Sequence, residues 1–277
     1  MNACKTLLRT AEMTTLSLLL LTGCASTARP TGDKPLPPFR EKPRTYACRR
    51  APAPPMVDGR LDEPAWSAAA WTEAFVDIEG AAQPLPRFET RAKLMWDDTY
   101  LYIGADLQEP HVWATLRDYD AIIFHDNDFE IFIDPDGDQR EYYEIEINAF
   151  NTIFDLFLVR TYIAGGPALH AWDCKGLRSA VHIDGTLNDP TDIDRGWSVE
   201  FAISWATLKE AAHRPAPPRP GDTWRMDFSR VQWLTRVVNG AYEKLPETRE
   251  GNWVWSPPGV VNMHLPERWG YVTFTAE

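Results

Sequence analysis

Between residues 90 and 160 apolar and polar side chains alternate in short runs: 90–96, 100–107, 129–134, 142–148 and 152–160. A period of two is the signature of a strand with one face toward a core. Asp97-Asp98-Thr99 separates the first two runs as a tight hairpin, and Asp134-Pro135-Asp136-Gly137-Asp138 separates the next two. Asp and Gly supply the turn conformations there. The same reading predicts later strands over 180–187, 196–203, 223–231 and 268–275, and short helices over 63–70 and 205–211, the second capped by Ser204. About nine strands joined by hairpins, with one or two short helices, predict an all-β fold, a two-sheet antiparallel β-sandwich.

The alternation also sorts side chains by face. Phe129, Ile131 and Ile133 share one side and Glu130 takes the other; in the next strand Tyr143, Ile145 and Ile147 oppose Tyr142, Glu144, Glu146 and Asn148. One sheet face is therefore acidic and amide-bearing, a pattern that any half-solvated sheet also produces. Trp113, Trp172, Trp253 and Trp255 fall where loops are predicted. An exposed indole stacks on the C–H face of a sugar while carboxylates and amides bond its hydroxyls; the competing role is to plug the ends of the sandwich. Trp66, Trp71, Trp96, Trp197, Trp205 and Trp224 sit in or beside regular elements and are expected in the core.

The N-terminus changes the picture of where this domain works. Lys5 and Arg9 precede an apolar run over 16–21 and then Leu21-Thr22-Gly23-Cys24, the order of a secretory signal ending in a lipobox. The run is too short to span a bilayer, which takes about 20 residues. The chain is thus expected to divide into a signal (1–23), a flexible tether lipidated on Cys24 (24–45) and one folded domain (46–277). Ala25, with no Asp after the anchor cysteine, favours an outer-membrane or cell-surface address. The formal charge of −12 becomes about −13 once the signal leaves, and such a chain repels nucleic acid and anionic lipid. Cys48 and Cys174 remain in an oxidising compartment, either as a disulfide or as separate buried thiols.

Asp134, Asp136 and Asp138 place oxygen ligands at every second position of a turn, enough for part of a structural calcium site and equally a plain hairpin. Asp126 and Asp128 are a fainter second possibility. The scattered histidines argue against zinc, and no nucleophile elbow or phosphate loop is present.

Several segments together resemble the family 9 carbohydrate-binding module: Val57-Asp58-Gly59-Arg60-Leu61-Asp62-Glu63-Pro64-Ala65-Trp66, Trp96-Asp97-Asp98-Thr99-Tyr100-Leu101-Tyr102, Asp128-Phe129-Glu130-Ile131-Phe132-Ile133-Asp134, Tyr143-Glu144-Ile145-Glu146-Ile147-Asn148, Gly196-Trp197-Ser198-Val199-Glu200 and Trp269-Gly270. Their order and spacing, over residues 46–275, carry the resemblance. It implies a jelly-roll-like or DOMON-like sandwich that grips a glycan end between two tryptophans, with structural calcium. Trp113 would stack first, with Trp255 or Trp253 opposite; Glu130 and Asn148 would read hydroxyls and Arg230 would add a charge-assisted contact. The stretch 164–177, bearing Trp172, has no counterpart in the family. The expected function is oligo- or polysaccharide binding by a surface lipoprotein beside glycan-degrading enzymes or a transporter. Competing readings are a protein-assembly lipoprotein, a glycoside hydrolase using Glu130 with Glu144 or Glu146, and haem ligation by Met263, His264 or Met95.

Overall fold

The computed structural model describes residues 36, 38, 39, 41–245 and 251–276, so the signal, Cys24 and the first half of the expected tether lie outside the described residues. The strands in chain order are β1 (Thr45–Arg50), β2 (Val76–Asp77), β3 (Thr90–Trp96), β4 (Tyr100–Gln108), β5 (Asp128–Asp134), β6 (Arg140–Asn148), β7 (Ile153–Arg160), β8 (Ala168–Leu169), β9 (Arg178–Asp184), β10 (Gly196–Ser204), β11 (Thr223–Gln232), β12 (Thr235–Val238), β13 (Ala241–Lys244), β14 (Gly251–Val254) and β15 (Gly270–Thr275). Two single-turn helices, α1 (Pro64–Ser67) and α2 (Trp205–Leu208), complete the regular elements together with short 3-10 turns.

The fold is the expected all-β sandwich, built from one curled sheet of thirteen strands, eleven of them in the order β8-β7-β6-β5-β11-β15-β1-β3-β4-β10-β9. β14 bonds the free end of β11 beyond β15 and also pairs β2, while β12 and β13 form a separate ribbon. The halves are continuous because β1 runs parallel to both β15 and β3, an arrangement that no hairpin pattern announces. Inner side chains of the two halves meet in one core: the Phe129 ring of β5 stacks on Phe228 of β11 and reaches Phe201 of β10 at 6.2 Å. Burying this aromatic and aliphatic surface is the main stabilising term, at roughly 25 cal/mol per Å².

Helix α1 is shorter than the predicted 63–70. The chain is drawn away to the edge of β3, where Thr72 N–H donates to Ala92 O (2.8 Å) and the Tyr46 hydroxyl to Ala70 O (2.6 Å). Helix α2 starts as predicted, with Ser204 Oγ accepting from Ala206 N–H. Cys48 and Cys174 are both buried and free, so no disulfide joins them. Cys48 points into the core from β1, whereas Cys174 is held by its N–H to Asp155 on β7, and burial pushes both thiols well up, which makes them unreactive.

The segment before α1 is fixed by one carboxylate. Glu200, fully buried on the outer face of β10, accepts from Asp58 N–H (2.8 Å), Gly59 N–H (2.7 Å) and Trp66 Nε1–H (2.6 Å). Gly59 has φ +89°, and a Cβ there would sit 2.5 Å from His182 N. Glu200→Ala leaves three donors unpaired, two of them buried, and is expected to cost roughly 3 kcal/mol in urea unfolding, with Gly59→Ala similarly harmful; Glu200→Gln recovers part of the loss.

Candidate functional site

The outer face of β5, β6, β7 and β11 carries the acidic row expected from the alternation. In register across the strands lie Ser229, Glu130, Glu146 and Phe154, then Asp227, Phe132, Glu144 and Leu156. This face is not solvated: Glu130, Glu144 and Glu146 are 5%, 5% and 2% exposed. The short 3-10 turn Ile123–His125 covers it on one side, and the segment through Met263 and His264 covers it on the other. Between these covers lies a cavity of about 480 Å³ whose floor is the three glutamates. Phe124 (40% exposed) and Tyr162 (49%) stand on its rim. Asn252 and His264 add polar groups to the wall, and His170 stacks on Phe154 beneath the rim.

Burial dominates the electrostatics of this floor. It pushes Glu130 up to about 7, and it raises Asp128, Glu144 and Glu146 well above the usual carboxylate range, with mutual repulsion adding to the rise of the last three. Burial lowers His264 to about 4, so the ring is neutral near pH 7. Nδ1 shares a hydrogen bond with the Tyr142 hydroxyl (3.1 Å), and Nε2 faces the Glu144 carboxyl 4.0 Å away. A neutral His264 and protonated glutamates can both donate and accept, which suits a ligand rich in hydroxyls.

Of the residues expected to contact sugar, Glu130 alone lines this cavity, together with Glu144 and Glu146 of the hydrolase alternative. Asn148 lies on the same face but spends its amide on shaping the turn after β6: Nδ2 donates to Leu116 O and Asp126, and Oδ1 accepts from Phe150 and Thr152 N–H. Trp113, Trp253 and Trp255 are 4%, 5% and 0% exposed, and all three are corrected from exposed platforms to buried groups. Closing the ends of a curled sheet takes large planar groups, and indoles supply them. Trp255 packs on Phe228 and Tyr46, and Trp253 lies beneath the Arg230 guanidinium (5.2 Å). Arg230 is 1% exposed and fully engaged, with Glu109 (3.0 Å), Thr90 (2.9 Å) and Gln232. Trp172 is half-buried against Tyr143 and Phe157, away from the cavity.

Asp134, Asp136 and Asp138 do converge within 4.8 Å, yet their oxygens already accept turn N–H groups from Gly137, Gln139, Asp138 and Arg140. Met263 and His264 line the cavity, while Met95 sits in a separate cluster with Trp66 and Tyr102, so the haem-type set is not assembled. Sequence reading passed over Phe124 and Tyr162. The available signal was an apolar run, Ala121-Ile122-Ile123-Phe124, in a loop that gave it no neighbours to pack on.

The raised carboxyls carry a pH signature. A group whose folded pKa lies above its unfolded value stabilises fully below the unfolded pKa, and that stability is lost as pH rises through the folded value. In chelating buffer the melting temperature is expected to fall as pH rises from about 5 through 7, with neutral His264 opposing this only below its unfolded value of about 6.5. Glu144→Gln flattens the profile; an equally steep profile in that variant contradicts the assignment.

Exoglucanase XynX of Acetivibrio thermocellus is 26% identical over 157 residues, covering 56% of this chain but 12% of its own length. The chain therefore spans about an eighth of that enzyme. A family 9 carbohydrate binding module from Caldicellulosiruptor kristjanssonii, solved with cellotriose, superposes with a TM-score of 0.54 at 14% identity over 84% of this chain and 95% of its own. The same module with glucose gives 0.55, and a protein of Bacteroides uniformis gives 0.61 over 84% of this chain and all of its own, each at 14% identity. At that identity the likeness is one of fold. The profile of the carbohydrate family 9 binding domain-like family matches residues 57–276, and the chain belongs to that family.

Proposed function

We propose that the domain binds an oligosaccharide in the cavity over β5, β6 and β11, without transforming it. The observation that carries this reading is the pairing of exposed aromatic rings with buried carboxyls around one opening. Phe124 and Tyr162 offer apolar faces to a pyranose ring, and Glu130, Glu144, Glu146, Asn252 and His264 offer hydroxyl partners. Glucose and cellotriose in the related module make β-linked glucans the first class to try, and endo-1,4-beta-xylanase A of Thermoanaerobacterium saccharolyticum, 24% identical over 154 residues, adds xylans. A stacked site of this size works at micromolar affinity, about −8 kcal/mol.

The same reading places the domain on a lipid anchor at Cys24, held off the membrane by the tether, where it retains glycan near a degrading enzyme or transporter. Metabolic labelling with a fatty-acid probe tests the anchor: label lost in Cys24→Ala supports it, and label retained there refutes it.

Isothermal titration of the protein with cello- and xylo-oligosaccharides is expected to show one saturable site. Phe124→Ala and Tyr162→Ala should each weaken it about tenfold, roughly 1.4 kcal/mol, while Trp113→Phe leaves the affinity unchanged and lowers the melting temperature. Loss of binding in Trp113→Phe with full binding in Phe124→Ala would move the site elsewhere.

A further inference from the structure

The turn that carries Phe124 is held chiefly by its main chain. The Phe124 side chain is 40% exposed, and its one ring contact among the described residues is with the neighbouring His125, at 4.8 Å. Ile122 is exposed as well, and Ile123 anchors the turn in the apolar cluster beneath. Packing therefore fixes the turn at one side chain and leaves the Phe124 ring with few neighbours to orient it. Hydrogen bonds to the backbone supply the rest. From the cavity floor, Glu146 Oε2 accepts from Phe124 N–H (3.0 Å). From the other side, Trp233 Nε1–H donates to Phe124 O (2.9 Å), Lys244 Nζ donates to His125 O (2.7 Å), and Trp233 N–H donates to Asn127 Oδ1 (2.7 Å).

Trp233 and Lys244 stand together at the root of the β12–β13 ribbon. Trp233 leads into β12, Lys244 ends β13 opposite Thr235, and the ammonium lies 4.0 Å from the centre of the indole. That cation–π contact keeps the ammonium beside the carbonyl it serves. A two-stranded ribbon is marginal by itself. This one is tied to the body of the domain at Tyr242, whose hydroxyl shares a hydrogen bond with His111 Nδ1 (2.9 Å) and donates to Asp189 O (3.2 Å). The ribbon pairs with no strand of the main sheet, and Trp233 joins none of the apolar clusters. Its root thus adds little to the core while gripping two consecutive carbonyls of the turn on the cavity rim.

We infer that Trp233 and Lys244 are positioning residues for ligand binding: from the ribbon root they hold the Phe124 turn so that its ring stands at the cavity mouth before ligand arrives. The inference rests on the reading of the cavity as a glycan site. A ring already in place loses less conformational freedom when a sugar stacks on it, and the saving appears as affinity. Neither residue lines the cavity, so both act through Phe124 and not by contact.

The test is a double-mutant cycle read by calorimetric titration of the full-length protein with cellotriose and with xylotriose. Trp233→Phe removes the indole N–H and keeps a ring; Lys244→Met removes the ammonium and keeps most of the stem. Each is expected to weaken binding about fivefold, and Lys244→Arg, which retains a cationic donor, to keep most of the affinity. In a Phe124→Ala background both substitutions should change affinity by less than about twofold, because the ring they place is gone. Melting temperatures of the single variants should stay close to that of the wild type. Full affinity in Trp233→Phe and Lys244→Met beside a loss in Phe124→Ala overturns the inference and leaves the glycan reading standing. An undiminished loss in the Phe124→Ala background also overturns it, since the two residues would then touch sugar or act through the fold. Heat from neither sugar, or Phe124→Ala binding as tightly as the wild type, removes the cavity reading and this inference with it.

Discussion

Strands β5, β6 and β11 are covered on both faces, and the functional chemistry of the molecule follows from that constraint. A strand with one wet face can carry glutamates at no cost, because water solvates them. Here the inner face packs into the main core through Phe129, Ile131, Tyr143 and Ile145, while the outer face is roofed by the turn at Ile123 and by the segment through Met263. Carboxyls on that outer face must then hold protons, share hydrogen bonds or bind an ion. Each of these states prepares them to engage a polar ligand in a partly dry cavity, where a hydrogen bond is stronger than in water.

The opposite half of the curled sheet treats its buried carboxyl differently. Glu200 has three strong donors and serves the architecture, tying the segment before α1 to β10. Asp128 accepts one backbone N–H, from Val231, and its carboxyl hydrogen-bonds that of Glu130. Two buried acids on one fold therefore divide by what satisfies them, backbone and indole N–H groups in one half and a neighbouring carboxyl in the other.

Parallel pairing of β1 with β15 and β3 closes the design at the seam between the halves. It brings the first and last strands of the domain together, so that Cys48 faces the core beside Phe274. The indoles of Trp253 and Trp255 fill the space that the curl opens at the β11 end. Their burial explains why tryptophans in stretches that read as loops are structural here, while Phe124 and Tyr162 stand exposed at the cavity.

The alternating pattern by itself determined the β3–β4 hairpin, the β5–β6 pair and the side on which Glu130, Glu144 and Glu146 lie, because a period of two is a local property of the backbone. The capping of α2 by Ser204 was equally local. The spaced segments from Val57 to Gly270 were enough to identify the family. Pattern could not place β1, β2 or β14, whose few residues are strand only because a distant edge accepts them. Nor could it tell a wet face from a roofed one, or an exposed indole from a buried one. Those depend on which loops fold back over the sheet, and only the tertiary structure, where long-range contacts set burial and therefore charge, decided them.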